Sequence, residues 1–102
     1  GTVAKDSFGI DCSGVVTAVG PDSQRQVGDR VSIPLTRSSM GSVVEEVDDL
    51  IVPLPDAVSM DVASCGAVYL TSYHCLMVGR LRRGETILIH SATGGVGLSA
   101  IE

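Results

Sequence analysis

The feature that most constrains this chain lies near its far end. Residues 87–101 read Ile87-Leu88-Ile89-His90-Ser91-Ala92-Thr93-Gly94-Gly95-Val96-Gly97-Leu98-Ser99-Ala100-Ile101. The apolar run Ile87-Leu88-Ile89 predicts a buried parallel strand. It leads into a glycine turn and then into a helix start built of small residues. Strand, glycine turn and helix N-terminus, in that order, form the corner that grips phosphate in dinucleotide-binding folds.

Each part of that corner needs small residues for its own reason. A tight turn favours a residue without Cβ restraint. A pyrophosphate must approach backbone N–H groups closely, and the helix must then pack on the strand. On the fingerprint G-x-G-x-x-G, Ala92, Gly94 and Gly97 hold the three spaced positions, with Ala92 replacing the first glycine. The acid expected about 20 residues further on falls past Glu102, since five residues follow Gly97. No Gly-Lys-Ser/Thr follows the glycines, which excludes a nucleoside-triphosphate loop. His90 is expected at the end of the strand, where ligands gather in α/β sheets. A structural histidine bonded to loop backbone is the reading preferred over a cofactor contact.

Upstream, short β-type runs alternate with turn residues. Residues 14–19 predict a strand closed by Gly20-Pro21-Asp22-Ser23. Gly28-Asp29 bends the chain into a strand over 30–33, which Pro34 ends. Residues 42–47 predict a third strand. Asp48-Asp49 separates it from Leu50-Ile51-Val52, and Pro53 and Pro55 stop regular structure. This spacing suggests a small barrel or a piece of one. Ser59 is a predicted N-cap, with Asp61 in the first turn and a helix to about Gly66. A second helix is expected over 67–78, with Leu70, His74 and Met77 on one apolar-rich stripe and Gly79 as C-cap. Arg80, Arg82 and Arg83 beside Gly84 read as a solvated connection. The fold class is therefore mixed α/β: a β-rich part over 1–65, helix and connection over 66–84, and a nucleotide-binding start over 85–102.

Composition excludes several functions. The net charge of −5 argues against nucleic acid, whose phosphates need a basic surface. Cys12, Cys65 and Cys75 are an odd count without C-x-x-C spacing, so buried, reduced thiols of a cytoplasmic protein are expected. No charged segment followed by an apolar one opens the chain, so no secretion signal is read. Residues 62–79 lack charge but contain Ser64, Thr71, Ser72, Tyr73 and His74, which predicts a buried helical region and no membrane span. The acidic run Glu45, Glu46, Asp48 and Asp49 reads as a solvated strand edge before it reads as a metal site. Tyr69, Tyr73 and His74 read as packing residues, the phenols tied to backbone. No Ser-His-Asp order, H-E-x-x-H motif or spaced carboxylate pair is present. The chain begins with Gly1 and ends in the first turns of a helix, so a fragment or truncated product is expected.

With these pieces in order, the resemblance is specific. Val68-Tyr-Leu-Thr-Ser-Tyr-His-Cys-Leu76 and Arg80-Leu-Arg-Arg-Gly-Glu-Thr-Ile-Leu-Ile-His-Ser-Ala-Thr-Gly-Gly-Val-Gly97 resemble the medium-chain dehydrogenase/reductase superfamily. The closest likeness is to the enoyl reductase domain of reducing polyketide synthases, particularly fungal ones. Phe8-Gly-Ile-Asp-Cys-Ser-Gly-Val-Val16 is similar to that family's G-x-E-C-A-G-V-V strand, with Asp11 for Glu and Ser13 for Ala. Val27-Gly-Asp-Arg-Val31 and Leu54-Pro-Asp-Ala-Val-Ser59 match further stretches, and the likeness spans essentially the whole chain.

The resemblance implies part of a GroES-like partial barrel, a linking helix, and the first strand and glycine turn of a Rossmann domain binding NADPH. It implies hydride transfer to the β-carbon of an enoyl thioester held on an acyl carrier protein, within a multidomain synthase. It places Ser91, Ala92, Thr93, Gly94, Gly95, Val96 and Gly97 at the cofactor diphosphate and Thr71 near the nicotinamide. It assigns no catalytic acid to this chain. The superfamily's zinc enzymes carry Gly-His-Glu where this chain has Gly9-Ile10-Asp11. The histidine ligand and the cysteine-rich zinc lobe are missing, so a zinc-free enzyme is implied. A zinc-free quinone oxidoreductase shares the corner and the Leu-Thr-x-Tyr helix and stands as the alternative, beside a non-catalytic remnant.

A lone strand of a parallel sheet leaves its backbone groups unmet. The chain by itself is thus expected to bind NADPH weakly or not at all. Calorimetric titration of the 102-residue chain showing micromolar affinity would overturn this.

Overall fold

The computed structural model describes residues 8–102. The first seven residues of the expected 1–65 part lie outside the described residues. The chain divides into two compact units, one ending at Gly66 and the other spanning Ala67–Glu102.

The first unit is built on an antiparallel sheet of β1 (Cys12–Val15), β2 (Arg30–Ile33) and β3 (Val52–Pro53), in that spatial order. Cys12 faces Ile33, Val15 faces Arg30, and Val31 faces Pro53. β2 lies where the sequence places it, with Pro34 directly after its last residue. Gly28 adopts φ 99°, a turn conformation that disfavours side chains. The turn is closed from both sides: Gln26 N–H donates to Asp29 Oδ2 at 2.8 Å, and Asp29 N–H donates to the Gln26 carbonyl at 3.1 Å.

β1 departs from the expected 14–19. It begins two residues earlier and ends at Val15. Val16 still exchanges bonds with the opposite strand's approach, donating to the Asp29 carbonyl and accepting from Gly28 N–H, each at 2.9 Å. Residues 42–47, expected as a strand, are not one. Val43 and Val47 are exposed. A β-favouring run becomes a strand only beside an edge it can pair with, and no ladder reaches this run among the described residues. Leu50 belongs to a 3₁₀ turn over Asp48–Leu50 and not to β3.

The acidic run likewise takes a different role. Ser23 Oγ donates to Asp48 Oδ1 at 2.6 Å, and Gln24 N–H donates to Asp48 Oδ2 at 2.7 Å. Arg25 N–H in turn donates to Ser23 Oγ at 3.1 Å. These bonds to the charged form hold the Asp48 carboxyl below its usual range. Asp48 is a loop clasp where a solvated strand edge was expected.

Helix α1 (Met60–Ala63) starts at the predicted cap, Ser59, whose Oγ accepts from Val62 N–H at 3.4 Å. Two strand serines tie it to the sheet. Ser13 Oγ donates to the Met60 carbonyl and Ser32 Oγ to the Ala63 carbonyl, each at 2.7 Å. Ala63 ends the helix, where carbonyls lack intrahelical donors, so Ser32 meets a standing need. The Met60 carbonyl also accepts from Ser64 N–H at 3.0 Å. The Arg30 guanidinium donates to the Pro55, Asp56 and Val58 carbonyls and holds the loop before α1. Among the described residues, the buried apolar ones are Val31, Ile33 and Ala63.

In the second unit, α2 (Gly66–Val78) matches the expected helix and starts one residue earlier. Its end is a Schellman motif: Arg80 N–H donates to the Met77 carbonyl and Leu81 N–H to the Leu76 carbonyl, both at 3.1 Å. Gly79 is the C-cap, but the left-handed residue after it is Arg80, at φ 54°. Leu70, His74 and Met77 share a stripe yet are exposed, and the buried residue of α2 is Ser72. Residues 85–89 form no ladder; Leu88 is 82% exposed. Parallel neighbours are separated by a crossover of a dozen or more residues, and none pairs with this run among the described residues. Helix α3 (Gly95–Ile101) closes the unit. The expected burial of the thiols is not found: Cys12 is half-buried, and Cys65 and Cys75 are exposed, all three free. No helix among the described residues is long and apolar enough to cross a membrane.

The Asp48 clasp gives a signed pH dependence. A carboxyl with a lowered folded pKa contributes in full above its unfolded value of about 3.9. That contribution is lost as pH falls through the lower folded value. The urea midpoint of wild type should therefore exceed that of Asp48→Asn at neutral pH, and the gap should close in acid. A gap that stays constant to about pH 2 would contradict the linkage.

Candidate glycine-corner site

The corner is assembled from a turn over residues 90–93 and the start of α3. Ser91 adopts φ 54°. The left-handed backbone that makes the turn thus falls on Ser91, one residue before Ala92, the position the fingerprint reserves for its first glycine. Gly94 N–H donates to the Ser91 carbonyl at 3.0 Å, closing the turn. Gly94 itself is extended, at φ −80° and ψ 165°, and caps α3. The first bond inside the helix runs from Leu98 N–H to the Gly94 carbonyl at 2.8 Å. The N–H groups of Gly95, Val96 and Gly97 precede it and have no acceptor within the helix.

The three glycines do different work. A Cβ on Gly97 would lie 2.5 Å from the Ser91 carbonyl oxygen and 2.6 Å from Ala92 Cα. Gly97 is buried, seated on the backbone of the turn. A Cβ on Gly95 would lie 3.1 Å from Val68 Cγ1, so this position lets α3 approach α2. A Cβ on Gly94 would meet nothing closer than the Ser91 oxygen, at 3.4 Å. Gly94 is the one whose missing side chain leaves space open at the corner.

Two serines hold α3 against α2. Ser72 Oγ and Ser99 Oγ are hydrogen-bonded to each other. Ser72 Oγ also reaches the Val68 carbonyl at 2.7 Å, and Ser99 Oγ reaches the Val68 and Val96 carbonyls at 3.1 and 2.9 Å. Sequence reasoning did not single out either serine. The available signal was spacing: Gly95 and Ser99 lie four apart on α3, as Val68 and Ser72 do on α2, so each pair shares a helix face.

A cavity of about 570 Å³ opens beside the corner. Its apolar wall includes Leu76, Leu81, Ile87, Ile89 and Val96. Ser91 and residues 94–97 line it, whereas Ala92, Thr93 and Thr71 do not. Thr71 is an exposed α2 residue whose hydroxyl donates back to the Ala67 carbonyl at 2.7 Å. His90 also lines the cavity, but as an exposed turn residue and not at the end of a strand. Tyr69 Oη donates to Glu102 Oε2 at 2.7 Å, so its phenol is tied to a carboxylate where backbone was expected. Tyr73 and His74 are exposed where packing was expected. Among the described residues, no group of three or more His, Cys, Asp or Glu side chains is placed to hold a metal ion. Burial, Asp11 and Glu46 push the Cys12 thiol up, away from the reactive thiolate.

No protein-family model matches the chain. Similar proteins are nonetheless found along nearly all of it. It is 45% identical over 97 residues to one of the phenolphthiocerol/phthiocerol polyketide synthase proteins of Mycobacterium tuberculosis, covering 92% of the chain and 4% of that protein. It is 40% identical to probable polyketide synthase 1 of Dictyostelium discoideum, covering 99% of the chain and 3% of that protein. It is also 40% identical to the highly reducing polyketide synthase g433 of a Fusarium species, covering 94% of the chain and 4% of that protein. Among solved structures, the CurK enoyl reductase matches with a TM-score of 0.86 at 35% identity, over 93% of this chain and 30% of that one. The chain's homologues are polyketide synthases, and its mixed α/β fold is that of the corresponding part of an enoyl reductase. It spans a small share of the length of these relatives.

The glycine geometry separates two substitutions. Gly97→Ala forces backbone apart and should cost about 2–3 kcal/mol, the upper range for overpacking. Gly94→Ala meets only ordinary contact and should cost well under about 1 kcal/mol. Hydrogen exchange of the α3 amides measures both, and equal loss of protection would refute the assignment.

Proposed function

We propose that this chain is part of an NADPH-dependent, zinc-free enoyl reductase that acts in polyketide synthesis. The observation that carries this reading is the 35%-identical match of 93% of the chain to an enoyl reductase. The polyketide synthase relatives support the setting. The absence of histidine in Gly9-Ile10-Asp11 supports the zinc-free part. The first unit is then the partial GroES-like part, α2 the linking helix, and residues 85–102 the start of the Rossmann domain. The substrate is an enoyl thioester on an acyl carrier protein, presented by other domains of the same synthase, in the cytoplasm.

The corner has the properties a dinucleotide diphosphate requires. Three successive N–H groups, of Gly95, Val96 and Gly97, precede the first helix bond. Gly94 leaves room for close approach that a Cβ would fill. Ser91, Ala92 and Thr93 form the turn that aims these groups, and Gly97 fixes the turn to α3. Leu76, Ile87, Ile89 and Val96 give the corner an apolar neighbour on one side. Thr71 stands on α2, on the proposed nicotinamide side. When bound, NADPH supplies the hydride that reduces the α,β double bond. This chain's residues hold and orient the cofactor, and none of them is assigned as the proton donor.

The test is turnover by the enoyl reductase region that carries this segment. It should oxidise NADPH in the presence of a crotonyl thioester on a carrier protein and not with a quinone. Consumption with quinone alone would favour the oxidoreductase alternative. A folded protein that consumes NADPH with neither would favour a remnant. Gly94→Ala should leave the fold intact and weaken cofactor binding about tenfold.

A further inference from the structure

Residues that fix α3 are few, and one pair is polar and half-hidden. Ser72 is 3% exposed, the most buried residue of α2. Its hydroxyl meets that of Ser99 across the two helices. On the outer side of α3, Leu98 and Ile101 are exposed and offer no hold. Contacts holding α3 within the unit include the Gly97 seat, the Gly95 approach to Val68, the Tyr69–Glu102 bond and the serine pair.

We propose that Ser72 and Ser99 are positioning residues for the glycine corner: a hydroxyl clasp that sets how the corner meets the cofactor. The inference rests on the cofactor reading above. Two hydroxyls bring two hydrogens. One bridges the pair, and the other goes to a backbone carbonyl, with Val68, Val96 and Tyr69 all within reach. Neither serine is orphaned when its partner is removed. Ser72 keeps the Val68 carbonyl, and Ser99 keeps the Val96 carbonyl. Truncation of one serine therefore leaves no unsatisfied buried group, and the protein stays folded. What is lost is the directional tie between helices. Gly95 and Ser99 share a face of α3, so the clasp works one turn beyond the closest approach and resists rotation about it. Rotation there displaces the N–H groups of Gly95, Val96 and Gly97, and small displacements of binding groups are costly to function.

The experiment uses the complete enoyl reductase region carrying this segment, with NADPH and a crotonyl thioester. Ser99→Ala and Ser72→Ala should each raise the NADPH KM about tenfold, with kcat within about twofold. The double variant should be no worse than either single one, because the pair acts as a unit. Ser99→Thr, which keeps the hydroxyl, should restore the wild-type KM. Single variants with unchanged KM, multiplying effects in the double variant, or no rescue by threonine would each overturn the clasp. A folded wild-type protein that neither binds nor oxidises NADPH would overturn the cofactor reading and the clasp with it. An active wild type with an indifferent Ser99→Ala would remove the clasp alone.

Discussion

Backbone pairing of β2 along both of its edges is the constraint on which the first unit depends. β1 takes one edge and β3 the other. Because β2 is central, its side chains also become the attachment points for what is not sheet. Ser32 holds the end of α1, Arg30 holds three carbonyls of the loop before it, and Val31 and Ile33 are buried apolar residues. Gly66 must remain small because Pro34, the residue that ends β2, lies against it. A hydroxyl or guanidinium on a carbonyl contributes modestly in net terms, about 1 kcal/mol or somewhat more with charge. Its larger effect is to prevent the cost of a buried carbonyl left unmet. Ser32 does this for the last carbonyl of the four-residue helix α1.

The same requirement explains where strand-like sequence does not become strand. Residues 42–47 and 87–89 have the composition of strands, and neither carries a ladder. β propensity describes how a side chain fits a pleated, half-buried surface, and it does not supply the neighbour. Arg30–Ile33 had neighbours on both sides within the chain, and its boundaries were legible to the residue.

Helices and caps were legible because their signals are local. Ser59, the span of α2 and Gly79 as its C-cap follow from residues within a few positions of each other. The stripe of Leu70, His74 and Met77 was also read correctly as a face. A period says which residues share a face and nothing about what covers it. Asp48 was legible as an acid but not as a clasp, since its partners Ser23 and Gln24 lie about two dozen residues away. At the corner the glycine positions were readable from spacing. The left-handed turn at Ser91 was not, because no sequence rule marks a serine for that conformation. The Ser72–Ser99 pair was hidden for another reason: two serines on separate helices have no signature until the helices touch.

The corner is shaped by removed atoms more than by added contacts, and the removals are not equivalent. At Gly97 an added methyl meets backbone, which cannot yield without moving the turn. At Gly95 it meets the Val68 side chain, which can turn about χ1 at modest cost. At Gly94 it meets only the Ser91 carbonyl oxygen at 3.4 Å, an ordinary contact. Three glycines written with the same letter thus span a gradient, from one that architecture requires to one that it tolerates changing. The hydroxyl pair belongs at the architectural end of that gradient. Small residues allow α3 and α2 to approach, but they do not by themselves choose one relative rotation. Hydrogen bonds depend on angle as well as distance, so the serines supply the directional term that glycine packing lacks.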